Sequence, residues 1–261
     1  MIWDISPVIF EVGPFTIRWY GVFFAAAFLG GYFIVARIHI REGRSVAPLS
    51  TLMNYTIIGT LIGARLGHCL LYDPVYYLTH PLKIPAIWEG GLASHGGAAG
   101  MVLALWFHCR NQDLSFIRLL DRIAIAAALG GALIRVGNFF NSEIYGLVTD
   151  RPWAVVFARI DPFPRHPSQL YESLVCLVTF MVLVATYRMS KGHPRTGLLS
   201  GLFLTLIFSS RFFLEFLKVP QAAYTTGLGL NTGQWVSIPF VAVGGLLIAR
   251  ALERKQGPDI G

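Results

Sequence analysis

The stretch "AIAAALGGALIRVGNFFNSEIYG", residues 124–146, decides how this chain is interpreted. Its first half is apolar enough to lie in lipid, and its second half places an arginine, two asparagines, a serine and a glutamate directly behind it. An arginine inside a membrane helix costs about 2.5 to 3.5 kcal/mol on insertion scales. On a continuing helix, Arg135, Asn138 and Ser142 share one face that presents a guanidinium, an amide and a hydroxyl. Such a face suits phosphate or ester oxygens.

The composition of the whole chain indicates a membrane protein. Of the 261 residues, 54% are hydrophobic and 13% are charged, and the mean hydropathy is +0.58. Ordinary soluble domains carry about a quarter charged residues. The net charge is +7, and the basic residues lie between apolar runs. A nucleic-acid partner would require a basic patch with aromatic residues on a soluble face, so this distribution argues against one.

Seven apolar runs are long enough to span a bilayer, at about 20 residues each. They cover residues 17–38, 50–72, 91–108, 117–138, 169–188, 197–217 and 234–251. We therefore predict an all-α, polytopic integral membrane protein with about seven transmembrane helices, forming a single transmembrane domain over residues 1–261. Residues 139–168 are predicted to form an outward-facing loop, a small cap over the site.

The basic residues between the runs predict the orientation, because cytoplasmic loops are enriched in Lys and Arg. One set of loops holds Arg37, Arg41, Arg44, Arg110, Arg118, Arg122, Arg188, Lys191, Arg195, Arg250, Arg254 and Lys255. This set is expected to face the cytoplasm, with the N-terminus outside and the C-terminus inside. The first residues carry no basic side chain before Arg18 and so lack the charged region of a cleavable signal peptide.

The polar residues within the runs converge on the outer leaflet. They are Tyr20, Arg65, His95, Arg135, Asn138, Arg211, Glu215 and Gln234. Three arginines at one depth predict a shared anionic partner or a water-filled cavity.

Structural explanations stay open for several of these residues. Arg135 could snorkel to the interface, paired with Glu143. Arg211 and Glu215, four residues apart, could form an ion pair within one helix. His95 could be a packing residue, although the glycines beside it would let a lipid approach its ring.

Two further segments have structural interpretations as well. The motif "RHPSQLYE" at 165–172 is typical of a helix entry, with Tyr171 and Glu172 as weak site candidates. The cysteines, Cys69, Cys109 and Cys176, lack metal-ligand spacing and are interpreted as small core residues.

Motifs along nearly the whole chain resemble those of the bacterial phosphatidylglycerol–prolipoprotein diacylglyceryl transferases. They are "IRWYG" at 17–21, "GARLG" at 63–67, "WEGGLASHGG" at 88–97, "RVGNFFNSEIYG" at 135–146, "RHPSQLYE" at 165–172, "RFFLEF" at 211–216 and "GQWVSIP" at 233–239. This chain departs from the usual family pattern at Ile134, at Ser142, Ile144 and Tyr145, and at Ile207, where some members carry a tyrosine.

The resemblance implies an enzyme of the bacterial inner membrane that moves a diacylglyceryl group from phosphatidylglycerol to the lipobox cysteine of prolipoproteins. It implies catalytic roles for His95, Arg135, Arg211 and Tyr20. It implies substrate-binding roles for Arg135, Asn138, Glu143, Gly146, Arg211 and Glu215.

The implied chemistry matches these residue types. Guanidiniums stabilise charge on the phosphate of the leaving group. His95 is the candidate base for the substrate thiol, and Tyr20 is a hydrogen-bonding or positioning group. No metal, nucleotide or other cofactor is implied, and the chain has no Walker-type loop and no HExxH motif.

Two other classes of function remain alternatives. A lipid or anionic-solute transporter could use the same arginines, but transporters often show repeated halves and sites near the midplane. A metal-dependent phospholipid phosphotransferase would need a cluster of intramembrane aspartates, which Asp121 alone cannot supply.

Overall fold

The computed structural model describes residues 1–13, 15–219 and 230–253. Arg254 and Lys255, counted above among the basic loop residues, lie outside these ranges. The helices are α1 (Trp19–Arg41), α2 (Leu49–Leu71), α3 (Pro74–Thr79), α4 (Ser94–Asn111), α5 (Phe116–Asn141), α6 (Ser168–Met189), α7 (Leu198–Leu214) and α8 (Thr232–Glu253). Short 3-10 turns cover Pro81–Lys83, Ile87–Glu89 and Glu215–Leu217.

Each predicted span coincides with a long helix, and the bounds agree within about three residues. Five of these helices, α1, α5, α6, α7 with the turn that follows it, and α8, are long and apolar enough to cross a membrane. The chain is therefore mostly helical and carries several candidate membrane spans. Helices α2 and α4 are less apolar, so a total of seven spans stays a prediction.

The prediction of an all-α fold is wrong in one respect, because the chain also contains short strands. They are β1 (Ile2–Trp3), β2 (Val8–Val12), β3 (Phe15–Arg18), β4 (Val155–Phe157) and β5 (Pro164–Arg165). Strand β4 pairs in parallel with β1 and antiparallel with β5, and β2 and β3 form a hairpin. Strands β4 and β5 lie within residues 139–168, which were predicted to form a loop. Helix α5 also extends into the start of this segment and ends at Asn141.

The described residues form two compact units, one of Met1–Glu42 with the described residues from Leu120 onward, and one of Gly43–Leu119. In the first unit, α1, α5, α6 and α7 share a buried apolar core. It contains Ile38, Ala124, Ile125, Ala128, Leu183, Tyr187 and Leu199. At one end of this core, the Asp121 carboxylate of α5 accepts hydrogen bonds from the backbone N–H groups of Gly197 (2.7 Å) and Ser200 (2.8 Å) at the start of α7. Asp121 thus stabilises the α7 N-terminus, where backbone N–H groups lack helical partners.

In the second unit, α2 and α4 pack at very short range. A methyl group on Gly63 of α2 would fall 2.7 Å from the Cα of Gly100 on α4, closer than real Cβ atoms approach. Small residues at such positions let two backbones meet, as is common between membrane helices.

Candidate active site

Arg135 lies six residues before the end of α5 and is held from two directions. Its Nη1 donates to Oδ1 of Asn138 at 3.2 Å. Its Nε faces Oε2 of Glu172 on α6 at 2.9 Å, an ion pair without the alignment of a hydrogen bond. The side chain keeps 22% of its accessible surface. The contacts of Arg135 within the described residues use Nε and Nη1, which leaves three of its five N–H groups for a ligand.

Asn138 connects Arg135 to Glu143. The Asn138 amide nitrogen donates to Oε2 of Glu143 at 3.2 Å, and the amide nitrogen of Asn141 donates to Oε1 of the same carboxylate at 3.1 Å. Asn138 is buried, whereas Glu143 is exposed. The arginine and the carboxylate of the motif therefore meet through an amide and do not pair directly.

The predicted face that combined Arg135, Asn138 and Ser142 is wrong at Ser142. Helix α5 ends at Asn141, and Ser142 adopts a φ of 55°, in the left-handed region. Its buried hydroxyl instead accepts a hydrogen bond from Nη2 of Arg159 at 2.8 Å. Ser142 therefore fixes the turn that follows α5 and does not extend the polar face of the helix.

The start of α6 holds the segment after this turn. The motif "RHPSQLYE" was predicted to mark a helix entry, and α6 begins at Ser168 within it, with no side-chain hydrogen bond from its N-cap residue Pro167. Ser168 Oγ donates to the Ile144 carbonyl at 2.6 Å, and Gln169 Nε2 donates to the Glu143 carbonyl at 2.5 Å. Both side chains are fully buried. They fix the backbone around Glu143 relative to α6.

Gly146 closes the motif at a point where three chain segments meet. Its N–H donates to the His166 carbonyl at 2.9 Å, and it forms an antiparallel bridge with Lys218. A Cβ at this position would lie 2.6 Å from the Leu217 carbonyl oxygen and 2.6 Å from the His166 Cβ. Only glycine fits at this position, so Gly146 is needed for close packing of these segments. The substrate-binding role that the resemblance implies for Gly146 stays a prediction.

Three largely buried charged side chains connect to Arg135 through a series of contacts. Lys218 Nζ contacts Oε1 of Glu172 closely and lies 3.4 Å from Oε2 of Glu215. The side chains of Lys218, Glu172 and Glu215 keep only 5%, 8% and 11% of their accessible surface. Sequence reasoning missed Lys218 and gave Glu172 little weight. The signal was present, because Lys218 follows Glu215 by three residues and Arg211 by seven.

Arg211 lies in the last turn of α7, and Glu215 begins the 3-10 turn that follows this helix. The alternative that they pair with each other finds no support among the ion pairs of the described residues, where Glu215 pairs with Lys218. The buried Nε of Arg211 likewise bonds to no described residue. The carboxylate of Glu215 instead lies against the first turn of α8, where a Cβ on Gly233 would fall 2.6 Å from its Cδ.

Tyr20 on α1 belongs to the same group of residues. Its ring packs on α5, where a Cβ on Gly137 would lie 3.2 Å from its Cδ2. The hydroxyl lies within electrostatic range of Glu143 and Arg135. The first compact unit contains Tyr20, Arg135, Asn138, Glu143, Gly146, Arg211 and Glu215. The contacts described above link Arg135, Asn138, Glu143, Gly146 and Glu215 directly or through Glu172 and Lys218.

His95 belongs to the other compact unit. It is the second residue of α4, and its side chain is exposed. Just before it, the N–H of Ala93 donates to the Ala64 carbonyl of α2 at 2.9 Å, which fixes the start of α4. The juxtaposition of His95 with Arg135 stays a prediction from the sequence.

Arg65 does not share an anionic partner with the other arginines, as its depth had predicted. It is buried, and its guanidinium donates to the backbone carbonyls of Lys83 (2.6 Å), Ile84 (2.7 Å), Gly90 and Gly91 (3.2 Å). These bonds satisfy the charge within its own unit. Arg65 therefore organises the segment between α2 and α4.

Two side chains of "RHPSQLYE" form a hydrogen-bonded group with an exposed tryptophan. Trp153 Nε1 donates to the Tyr171 hydroxyl at 2.7 Å, and this hydroxyl lies 3.0 Å from His166 Nδ1. Because an indole N–H can only donate, the Tyr171 proton is available for Nδ1 of neutral His166.

Asp161 and Arg165 brace the segment between α5 and α6. Arg165 Nε donates to Oδ2 of Asp161 at 3.0 Å, and Arg165 Nη1 donates to the Gly146 carbonyl at 3.3 Å. The hydrogen bond from Arg165 lowers the pKa of the Asp161 carboxyl below its ordinary value, and the same bond raises the pKa of Arg165. The backbone of Gly146 is therefore contacted by Arg165 as well as by the bridge to Lys218.

These features define a polytopic helical membrane protein with a charged site at the ends of its apolar helices. The family model described as prolipoprotein diacylglyceryl transferase matches residues 7–250. The chain is 48% identical over 256 residues to the phosphatidylglycerol–prolipoprotein diacylglyceryl transferase of Tolumonas auensis, covering 98% of this chain and 99% of the relative. The corresponding protein of Chloroherpeton thalassium is 49% identical, with 98% and 96% covered. That of Bacteroides fragilis is 41% identical, with 93% and 92% covered. The chain therefore belongs to the prolipoprotein diacylglyceryl transferase family.

Proposed function

We propose that this chain transfers the diacylglyceryl group of phosphatidylglycerol to the lipobox cysteine thiol of prolipoproteins, the first step of bacterial lipoprotein maturation. The bond between the diacylglyceryl carbon and the phosphate oxygen breaks, and a carbon–sulfur bond forms. Glycerol 1-phosphate leaves, and the thiol proton goes to a base. The names of the relatives support the substrates and the reaction.

The observation that carries the proposal is the half-buried guanidinium of Arg135, anchored by Asn138 and Glu172 with three N–H groups left for a ligand. As the carbon–oxygen bond breaks, negative charge grows on the departing phosphate. Fixed guanidinium donors in a water-poor site stabilise that charge without reorganising. Arg211, whose buried Nε bonds to no described residue, is a second donor for the same group.

The remaining site residues have supporting roles in this proposal. Asn138 and Glu143 orient Arg135 and bind the glycerol hydroxyls of the head group. Glu215 orients the cations of the site, and Gly146 lets the segment around it pack closely. Tyr20 positions a substrate by hydrogen bonding. His95 takes the proton of the thiol, whose free pKa is about 8.5.

The membrane arrangement proposed with this function has seven spans in the bacterial inner membrane, an N-terminus in the periplasm and a C-terminus in the cytoplasm. The basic residues between the helices support this orientation. Arg135 then lies in the outer leaflet, and the segment 142–167 lies outside, over the site that the lipobox peptide enters.

Mass spectrometry tests the proposal. The purified protein is incubated with phosphatidylglycerol and a lipobox peptide, and a peptide in which serine replaces the cysteine serves as the control. We expect a diacylglyceryl adduct on the cysteine peptide alone, together with release of glycerol 1-phosphate. Absence of the adduct with correctly folded protein would overturn the proposed function.

A further inference from the structure

Four charged side chains form a continuous chain of contacts behind the proposed phosphate site. Arg135 Nε lies 2.9 Å from Oε2 of Glu172, the other Glu172 oxygen contacts Lys218 Nζ, and Nζ lies 3.4 Å from Oε2 of Glu215. The carboxylate of Glu172 is therefore divided between two cations. Among these four side chains, Arg135 is the most exposed and Lys218 is the most buried.

Packing alone does not account for these charges. Burying an ion carries a large desolvation cost, and well-packed apolar residues of similar volume often replace a buried ion pair without loss of stability. The contact between Arg135 and Glu172 has the distance of an ion pair but lacks hydrogen-bond alignment. Arginine and carboxylate groups left to themselves commonly form two parallel hydrogen bonds.

We infer that Lys218 is a positioning residue for the transfer. Because Lys218 binds Oε1 of Glu172, that carboxylate cannot form two hydrogen bonds with Arg135. The other N–H groups of Arg135 therefore stay directed at the phosphate. The inference rests on the proposed function, in which Arg135 binds the departing phosphate. It adds a residue that touches no substrate and acts through Glu172.

Two independent contacts fix Lys218 in place. Its backbone bridges to Gly146, and the neighbouring N–H of Leu147 donates to the Leu217 carbonyl at 2.8 Å. On its other side, Glu215 is confined by the first turn of α8 at Gly233. The backbone of Lys218 is thereby fixed, and its Nζ lies between the carboxylates of Glu172 and Glu215. The same backbone bridge holds Gly146, which lies three residues after Glu143.

A double-mutant cycle tests this inference with wild type, Lys218→Met, Glu172→Gln and the double variant. In Lys218→Met, Glu172 can turn both oxygens to Arg135. We expect kcat/KM for phosphatidylglycerol to fall by about 10- to 100-fold, the effect of losing a charged hydrogen bond. The double variant lacks the competing carboxylate charge, so we expect it to be several-fold more active than Lys218→Met. Lys218→Arg keeps the cation and is expected to retain more activity than Lys218→Met.

Three features separate positioning from a structural role. Each variant is compared as the monodisperse fraction in detergent, with Lys191→Gln, which removes an exposed positive charge, as the control. Loss of folded protein lowers the amount of active enzyme and leaves both KM values unchanged. Weaker contact of Arg135 with phosphatidylglycerol raises the KM for phosphatidylglycerol and leaves the apparent KM for the peptide unchanged.

The outcomes distinguish this inference from the proposed function. Wild-type activity in Lys218→Met, or a double variant no more active than Lys218→Met, would overturn the role of Lys218 while wild-type turnover upheld the proposed function. If Lys218→Met does not fold, two other comparisons test the role of Lys218. They are Lys218→Arg against wild type, and the double variant against Glu172→Gln. A loss of about 10- to 100-fold in the double variant relative to Glu172→Gln would also overturn the role of Lys218, because both of these variants lack the Glu172 charge. Wild-type protein without any adduct would instead overturn the proposed function itself.

Discussion

Nε of Arg135 on α5 faces Oε2 of Glu172 on α6 at 2.9 Å, while Nη1 of the same guanidinium donates to Asn138. One planar group thus contacts two protein partners and still presents N–H groups to a ligand. A lysine ammonium has three donors on a single atom and cannot reproduce this fork.

Arg135→Lys therefore tests the geometry of the guanidinium separately from its charge. We expect kcat/KM to fall by about 10- to 100-fold, corresponding to about 1.5 to 3 kcal/mol for a charged hydrogen bond. Adduct formation with varied phosphatidylglycerol measures this loss. Arg188→Lys, an exposed position in the last turn of α6, is the matched control and should behave as wild type. An unaltered Arg135→Lys enzyme would show that charge alone suffices.

Gly146→Ala should destabilise the protein, because the added methyl would meet backbone atoms of Leu217 and His166 that cannot move independently. Overpacking of this kind costs about 1 to 3 kcal/mol. Thermal unfolding in detergent measures the effect, and activity should fall with it. The control is Gly245→Ala in α8, where nothing lies within 4 Å of the added Cβ. Equal midpoints for the two variants would contradict the packing seen at Gly146.

Asp161→Asn probes the brace beside Gly146. A carboxyl whose pKa is lowered by folding stabilises the protein above its unfolded pKa of about 3.9, and this contribution is lost as the pH falls through the lower folded pKa. We therefore expect wild type to unfold at a higher temperature than Asp161→Asn at pH 7. The two midpoints should converge at pH values below about 4. Asp150→Asn, at an exposed position, is the control. A gap between wild type and Asp161→Asn that is independent of pH would exclude the ion pair as its cause.

Cysteine labelling tests the orientation in the membrane. Asp150 is exposed and serves as the outward position, and the exposed residue His193 serves as the inward one. In a background with Cys176→Ala, we expect a membrane-impermeant thiol reagent to label intact cells at residue 150 only. Both positions should react after permeabilisation. The reverse pattern would move the site to the inner leaflet and overturn the topology.

Hydropathy was sufficient to locate the long helices, because about 20 apolar residues in a row have few alternatives to a helix in lipid. The short strands were not predictable in the same way. Strand β1 has two residues, and Ile2 pairs with Val156, so neither segment signals its partner locally.

The site was predicted in part for related reasons. Arg135, Asn138 and Glu143 are close in sequence and were found together. Ser142 was placed wrongly because nothing in its residue type announces the left-handed turn. Glu172 contacts Arg135 from α6, and Lys218 contacts Glu172 from the chain after α7, so both relationships depend on tertiary packing.

The role of His95 is tested by pH rather than by loss of activity alone. His95→Gln keeps polarity but cannot take a proton at physiological pH. If His95 removes the thiol proton, the defect should be largest near neutral pH and should shrink as the pH approaches the free thiol value of about 8.5, where the thiolate forms without help. The Arg135→Lys defect should stay nearly constant over the same range, because phosphate contact does not depend on thiol ionisation. Rates of adduct formation from about pH 6.5 to 9 measure both profiles. A His95→Gln defect that is constant over this range, or wild-type turnover at neutral pH, would assign His95 to lipid positioning or helix packing and leave the base to be sought elsewhere.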